Sequence, residues 1–314
     1  YDTPILKRMD AVVEYFIDSY ETLSGRDIEE EDREFLQQKF DSMYVTKDIY
    51  AIYNRLMETC GWEPLSDVPY EKRKIPYEDV FPMLYLKYRL TGGSTHKNIK
   101  HLVIDEMQDY SYLQYVIIHG LFNCRMTILG DRAQTLDREQ HDVLRFLPKI
   151  FGRDIRIIIM NKSYRNTWEI ATYAGKISGI TDVELLERHG KEVEEKSFAT
   201  EEEMLQKIAE QSSEALNRKD GKFETAAVIT MTEEGAFDIY RLLRNRRVDA
   251  SYVDRNSSVF KKGLTVTTFY LAKGLEFDQV FSIRGEKKNP LAKQAAYICA
   301  TRALHELYVY EVEA

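Results

Sequence analysis

Short apolar runs alternate with helical stretches along residues 101–160, and the alternation returns in the second half of the chain. In the first region the predicted order is strand, helix, strand, helix, strand, over His101–Ile104, Leu113–Leu121, Met126–Leu129, Val143–Phe146 and Arg156–Met160. Later strands are predicted at Ala226–Met231, Tyr252–Val253, Leu264–Thr268, Gln279–Ile283 and Leu307–Val312, and helices at Thr167–Ala174, Glu201–Ala215, Glu234–Asn245 and Ala292–Leu304. Such alternation is typical of βαβ units. The sequence therefore predicts an α/β fold with parallel sheets flanked by helices.

The 314 residues have room for two domains of ordinary size. Residues 5–60 show apolar side chains at three- and four-residue steps, which predicts a helical N-terminal segment. Gly152 lies in a stretch, 149–154, that suits a hinge, so we predict domains over 1–152 and 153–314. The charge-rich segment Val183–Lys196 is predicted to be a surface excursion.

Composition narrows the class of protein. A hydrophobic content of 44% and a charged content of 31% are typical of a folded globular chain, and no apolar run is long enough to cross a membrane. The net charge of −8 argues against a generally basic nucleic-acid surface, although a local positive groove can exist within an acidic total. Three widely spaced cysteines, Cys60, Cys124 and Cys299, favour reduced buried thiols in a cytoplasmic protein.

The most informative stretch is HLVIDEMQD, His101 to Asp109, in which a predicted strand runs straight into two acids. In an open α/β sheet the ligand crevice lies at the carboxyl ends of the strands, so Asp105 and Glu106 are expected at its mouth. A strand that simply ends in solvated charge is the plainer alternative. Residues further along the chain separate the two interpretations.

Five short sequence blocks follow one another along the chain. They are Asp105–Asp109, Gly130–Gln134, Ser163–Asn166, Thr267–Phe277 and Tyr297–Ala303. In this order they resemble motifs II to VI of the superfamily 1 helicases of the UvrD/Rep type. The resemblance implies a RecA-like P-loop NTPase fold, with residues 1–152 forming the C-terminal part of the first RecA-like domain (1A) and residues 153–314 forming the second (2A). It also implies hydrolysis of ATP, with Mg²⁺, between two such domains.

Phosphoryl transfer needs a metal holder, a group that positions water and cations for the γ-phosphate. Asp105 suits the metal, because a strand-end carboxylate can hold Mg²⁺, and Glu106 suits activation of the water. The resemblance assigns these same roles to the first two acids of motif II. It makes Gln134 the sensor of the γ-phosphate.

The later blocks carry the remaining roles that the resemblance implies. Tyr164 would stack on adenine, and Arg165 would reach the γ-phosphate. Arg302, placed at the start of the motif VI helix, would be a second arginine finger. Arginine suits this role because its charge is permanent and its fork matches phosphate oxygens. Glu276 would hold the ribose, and Gly274 would permit a close approach of the backbone.

Three positions depart from the pattern of the DNA-unwinding members. Asp137 and Glu139 stand where aromatic side chains usually stack on single-stranded bases, and Tyr270 replaces the usual histidine of motif V. The wording YLAKGLEFD and the acidic surroundings look more like the HelD branch, helicase-like ATPases that act on bacterial RNA polymerase. The expected partner is therefore single-stranded DNA or RNA polymerase, and both stay open.

A P-loop of the form GxxxxGK followed by Ser or Thr is absent from the sequence. The segment Thr91–Lys97 is glycine-rich but has the wrong spacing, and we interpret it as a turn. We expect the P-loop in a missing N-terminal part of the same protein, which makes this chain a C-terminal motor fragment. The alternative is a RecA-like interaction module that has lost its ATPase.

Overall fold

A computed structural model of the protein describes residues 3–93, 96–131, 143–152, 155–179, 183–218, 223–257, 261–285 and 289–313. These residues form two compact units. The first runs from the N-terminal end through Gly130 and includes residues 143–152 and Ile155, and the second contains Asp131 and the residues from Arg156 onward. The assignment of residues 1–152 and 153–314 to RecA-like domains 1A and 2A stays a prediction.

The first unit begins with four helices, and the first three of them lie within the predicted helical segment 5–60. They are α1 (Arg8–Ser24), α2 (Glu30–Asp41), α3 (Ile49–Thr59) and α4 (Tyr77–Thr91). Helix α1 buries Val13 and Ile17, four residues apart on one face. Three acids occupy the first turn of α2, where the helix dipole favours negative charge.

A small α/β layer completes the first unit. Strands β1 (His101–Ile104) and β2 (Arg125–Ile128) pair in parallel and are connected by α5 (Tyr112–Leu121), and α6 (Val143–Phe151) comes next. Ser111 and Gln114 form a capping box that starts α5. A core of Ile104, Tyr115, Val143, Phe146 and Leu147 joins the sheet to both helices.

The second unit is built on a six-stranded sheet. Its elements are β3 (Lys162–Ser163), α7 (Trp168–Ser178), β4 (Glu184–Leu185), β5 (Glu194–Phe198), α8 (Glu201–Leu216), β6 (Thr225–Thr230), α9 (Glu233–Asn245), β7 (Ala250–Tyr252), β8 (Gly263–Thr268), β9 (Phe277–Ile283), α10 (Ala292–Arg302) and β10 (Ala303–Val312). The sheet order is β5-β10-β9-β6-β8-β7, and every pairing is parallel. Strands β3 and β4 form a separate parallel pair.

Helices cover both faces of the large sheet, as a parallel sheet requires. Ile229 of β6 packs with Ile170 of α7 and Ile298 of α10 on one face. Val228, its neighbour in β6, packs with Leu205 of α8 and Leu243 of α9 on the other. Alternate side chains of a strand point to opposite faces, so one buried strand supplies both cores. The predicted α/β class, with parallel sheets, flanking helices and a helical N-terminal segment, is confirmed.

Three local predictions are wrong, and two of them concern strands. Arg156–Met160 forms no strand, and Ile159 and Met160 are 84% and 86% exposed. An apolar run becomes a strand only where another strand pairs with it, and none does so among the described residues. Val183–Lys196 is not wholly a surface excursion, because β5 begins within it and forms the edge of the large sheet.

The third correction concerns the thiols. Only Cys299 is buried, whereas Cys60 is exposed and Cys124 is half-buried. Burial raises the pKa of the Cys299 thiol to about 12. Within the described ranges, none of the helices combines the length and the apolar character needed to cross a membrane.

Candidate functional site

The two motif II acids lie at the carboxyl end of β1, as predicted from the sequence. Asp105 is exposed and Glu106 is half-buried. The Oδ1 atom of Asp105 accepts a hydrogen bond from the backbone N–H of Glu106 at 2.8 Å. Glu106 itself adopts φ 52° and ψ 50°, the left-handed region that a non-glycine residue rarely occupies. Such a conformation costs on the order of 1–3 kcal/mol and is characteristic of functional turns.

Gln108 holds the Glu106 carboxylate. This side chain is only 7% exposed, and its Nε2 donates a hydrogen bond to Oε2 of Glu106. The turn is also fixed through Met107, whose N–H donates to the carbonyl of Leu129 at 2.8 Å and whose carbonyl accepts from the hydroxyl of Tyr115 at 3.0 Å. The role of Gln108 is not predicted from the sequence, because a glutamine in a turn carries no local signal of its own.

Gly130, at the start of the motif III block, lies against this turn. A Cβ atom built on Gly130 would come within 2.2 Å of Met107 Cγ, 2.6 Å of Gln108 Oε1 and 2.8 Å of the Met107 backbone nitrogen. Only glycine permits this approach, because one of the clashing atoms is backbone. The motif II and motif III segments are therefore in direct contact.

Replacing Gly130 by alanine is expected to lower the free energy of unfolding by about 1–3 kcal/mol, because the added methyl group displaces the 106–108 turn. Urea unfolding of the chain measures this. Gly235→Ala is the matched control, since a Cβ at Gly235 meets only the Thr232 hydroxyl, at 3.1 Å. Equal stability of the Gly130→Ala and Gly235→Ala proteins would contradict the close approach.

Some of the predicted positions fall beyond the part of the chain that the structure describes. Gln134, Asp137 and Glu139 lie outside the described residues. Helix α4 ends at Thr91, and Gly92 comes next at φ 69°, in agreement with the interpretation of this segment as the start of a turn.

In the second unit, two predicted residues from distant blocks come together. The Nε atom of Arg165 donates to Oε1 of Glu276 at 2.8 Å, and both side chains are about half exposed, at 48% and 41%. Arg165 lies in the turn between β3 and α7, and Glu276 directly precedes β9. Tyr164, beside Arg165, is 64% exposed. Gly274 adopts φ 80°, which glycine accepts without strain.

Arg302 differs from the prediction in its place in the helix. It ends helix α10 and does not begin a helix, because the chain passes directly into β10 at Ala303. It is 2% exposed, and its role as an arginine finger stays a prediction. Its Nη1 donates to the carbonyl of Leu275 at 3.2 Å, and its Nη2 donates to the Thr301 hydroxyl at 3.2 Å. Motif VI is thereby attached to the backbone of motif V.

Tyr270, the departure in motif V, belongs to a polar cluster. Its hydroxyl donates to Oε1 of Glu233 at 2.8 Å, and Arg255 pairs with the same oxygen at 2.8 Å. The Arg255 guanidinium carbon also lies 5.8 Å from the centroid of the Tyr270 ring. The tyrosine therefore contacts a carboxylate that already has a cationic partner.

The oxygen donors of the first unit fit Mg²⁺ in its usual mode in nucleotide sites. This ion is commonly held by one or two carboxylates together with phosphate oxygens and waters. Asp105 offers one exposed carboxylate. Across the described part of the chain, no three side chains of His, Cys, Asp or Glu come together as a metal cluster, so Asp105 would need phosphate oxygens beside it.

Comparisons with known proteins find helicases among the solved structures. No family model matches the chain, and no curated protein is similar to it in sequence. One similar structure is the C-terminal domain of a possible DNA helicase from Lactobacillus plantarum WCFS1, at 24% identity and a TM-score of 0.39, covering 48% of this chain and 88% of that one. Another is the PRRSV helicase, at 14% identity and a TM-score of 0.39, covering 83% and 45%. The helicase nonstructural protein 10 of an arterivirus, in complex with DNA, matches at 15% identity and a TM-score of 0.38, covering 83% and 51%. The chain spans about half the length of these two viral helicases.

Proposed function

We propose that the chain is the C-terminal motor portion of a superfamily 1 helicase- or translocase-like protein that hydrolyses ATP with Mg²⁺. The observation that carries the proposal is the arrangement at the end of β1. Asp105 and Glu106 stand at a strand end, Glu106 adopts a left-handed conformation, and Gln108 holds its carboxylate. Left-handed non-glycine residues cluster at functional sites, and a carboxylate held in place is what a positioned catalytic base requires.

In this proposal Asp105 would hold Mg²⁺, and Glu106 would accept the proton of the attacking water. The Glu106 carboxylate receives an amide hydrogen bond from Gln108, which orients it through a neutral donor. Mg²⁺ would supply neutralisation of charge on the phosphates.

In the second unit, Arg165 and Glu276 are the residues to which the proposal gives a role. Their ion pair is half exposed, and exposed pairs contribute only ~0–1 kcal/mol. Exchange of Glu276 for a phosphate oxygen is therefore a small cost for Arg165. Glu276 is then available to accept hydrogen bonds from the ribose hydroxyls. The exposed ring of Tyr164 is available to stack on the adenine of ATP.

The partner on which the motor acts is proposed to be single-stranded nucleic acid or a bacterial RNA polymerase. The net charge of −8 and the acids Asp137 and Glu139 in the sequence favour the polymerase, because acidic surfaces repel a phosphate backbone. Within the proposal, we therefore favour a HelD-like role, in which the motor acts on RNA polymerase.

The second candidate function is an interaction module without ATPase activity. One observation favours it in particular, the burial of Arg302 to 2% exposure. The absence of a P-loop from the sequence favours it as well. Under the leading proposal the P-loop belongs to a further part of the same protein.

The deciding experiment is ATP turnover by the intact protein, alone, with single-stranded DNA and with RNA polymerase. Stimulation by DNA indicates a translocase or helicase, and stimulation by the polymerase alone indicates the HelD-like role. No turnover under any of the three conditions would leave the interaction module.

The 314-residue chain on its own is expected to bind ATP weakly and to hydrolyse almost none, because it has no P-loop to hold the phosphates. Nucleotide titration by calorimetry and release of inorganic phosphate measure the two quantities. Rapid turnover by this chain would show that another segment replaces the P-loop.

A further inference from the structure

A segment outside the five sequence blocks is fastened onto the motif IV turn. Residues 186–190, here termed the strap, run along the N-terminal end of α7. The N–H of Trp168 donates to the carbonyl of Arg188 at 2.9 Å, and the N–H of Gly190 donates to Oε2 of Glu169 at 2.8 Å. The ring Nδ1 of His189 lies 2.8 Å from the other oxygen of Glu169.

The strap also makes a contact that only a small residue permits. A Cβ atom built on Gly190 would lie 2.6 Å from Cγ2 of Thr167, the residue that caps α7. Glu169 is 9% exposed, whereas His189 and Gly190 are exposed, so the strap lies over a buried carboxylate that accepts hydrogen bonds from it. Position 190 and position 169 thus hold the strap in a single place on the helix.

From the strap, Arg188 reaches two backbone carbonyls. Its Nη2 donates to the carbonyl of Arg165 at 2.8 Å and to the carbonyl of Leu304 at 2.6 Å. The first belongs to the residue proposed to reach the γ-phosphate, and the second lies in β10, just after Arg302. Asn166, which is 8% exposed, makes a parallel connection through Nδ2 to the carbonyl of Ala303 at 2.6 Å.

Arg165 depends on these connections because it lies outside regular structure. It is in the turn between β3, which ends at Ser163, and α7, which begins at Trp168. Its backbone therefore lies outside the helix and the sheet ladder, and the Arg188 guanidinium is a hydrogen-bond donor to its carbonyl. A guanidinium presents several donors in a rigid plane, which suits the joining of two carbonyls.

We propose that Arg188 is a positioning residue that sets where Arg165 stands, and through Arg165 the preference of the site for a nucleoside triphosphate over a diphosphate. This inference rests on the proposed function. Arg188 touches neither nucleotide nor metal in this scheme. Its effect on binding is therefore limited to the γ-phosphate, which Arg165 contacts. A shift of the Arg165 guanidinium by about 1 Å is enough to weaken that contact substantially.

The test uses the intact protein and two probes, the Mg²⁺ complexes of ADP and of a non-hydrolysable ATP analogue. Calorimetry gives both dissociation constants for wild type, Arg188→Ala, Arg165→Ala and the double variant. Arg188→Ala is expected to weaken binding of the analogue about tenfold, the size of one charged hydrogen bond, and to change ADP binding less than about twofold. In the Arg165→Ala background, Arg188→Ala is expected to change the ratio of the two constants no further.

Two further variants separate positioning from folding. Arg241→Ala is the matched control, because this arginine is 62% exposed and pairs with Asp238, three residues away on α9. Arg188→Lys keeps the charge but replaces the planar fork by a single ammonium group, so an intermediate loss of selectivity is expected. If Arg188→Ala folds poorly, Arg188→Lys takes its place in the comparison.

The outcomes distinguish a failure of the positioning role of Arg188 from a failure of the proposed ATPase function. Equal weakening of both nucleotides by Arg188→Ala and Arg188→Lys would overturn the positioning role and indicate a structural one. Unchanged constants in Arg188→Ala, with a loss of selectivity in Arg165→Ala, would overturn the inference and leave the proposed function standing. An intact protein that binds neither nucleotide would overturn both.

Discussion

Replacing Glu106 by glutamine in the intact protein is expected to slow ATP turnover at least ~10²-fold while leaving ATP binding in place. Glutamine keeps the shape of the side chain, and its amide oxygen can still accept the hydrogen bond that Gln108 donates to Oε2. The turn is therefore retained, and the capacity to accept a proton is lost. Steady-state phosphate release, together with nucleotide titration, measures the two effects separately.

Glu58→Gln is the matched control for this variant. Glu58 is an exposed acid near the end of α3, and the same chemical change there is expected to leave turnover unaltered. Turnover of Glu106→Gln equal to wild type would refute the assignment of Glu106 as the base. A loss of ATP binding in the same variant would indicate that the change had disturbed the turn.

Replacing Glu306 by alanine is expected to lower the free energy of unfolding by roughly 1–3 kcal/mol, the cost of leaving buried hydrogen-bond donors without an acceptor. The Glu306 side chain accepts hydrogen bonds from Arg218 at 2.8 Å, Gln279 at 2.9 Å and the Tyr308 hydroxyl at 2.8 Å. Removing the acceptor leaves the buried donors of Gln279 and Tyr308 in the sheet without a partner, whereas the Arg218 side chain, which is 37% exposed, can turn to water. Urea or thermal unfolding measures the loss.

A surface acid provides the contrast. Glu224 pairs with Lys262 at 2.6 Å, but the two side chains are 57% and 74% exposed. Because exposed ion pairs contribute little, Glu224→Ala is expected to cost less than ~1 kcal/mol. Equal losses in Glu306→Ala and Glu224→Ala would contradict the burial of the Glu306 network.

The same network predicts a dependence of stability on pH. Burial pushes the pKa of Glu306 upward, but hydrogen bonds from Gln279, Tyr308 and Arg218 together lower it more, so that the pKa lies below its ordinary value of 4.5. A carboxyl group whose pKa is lower in the folded state than in the unfolded state stabilises the folded protein at pH values above the unfolded-state pKa. That stabilisation is lost as the pH falls through the folded-state pKa. The difference in unfolding free energy between wild type and Glu306→Gln is therefore expected to shrink on acidification. A difference that stays constant with pH would contradict a lowered pKa.

Local pattern predicted much of the architecture. The span of β1, His101–Ile104, coincides with the prediction, since an apolar run bounded by charge is a local signal. The helical N-terminal segment and the alternation of strands and helices in the second unit are predicted by periodicity alone. The run Arg156–Met160 shows the limit, because a strand requires a partner that the run itself does not encode.

The candidate site divides in a similar way. The sequence by itself determined which residue types stand in the candidate blocks, among them Asp105, Glu106, Arg165 and Glu276, because motif spacing is a property of the chain. The tertiary structure alone decided that Arg165 meets Glu276, that Arg302 is buried and that Arg188 holds the Arg165 backbone. Each of these depends on contacts between residues far apart along the chain, and the side-chain hydrogen bonds and burial that create them exist only once the sheet has brought those residues together.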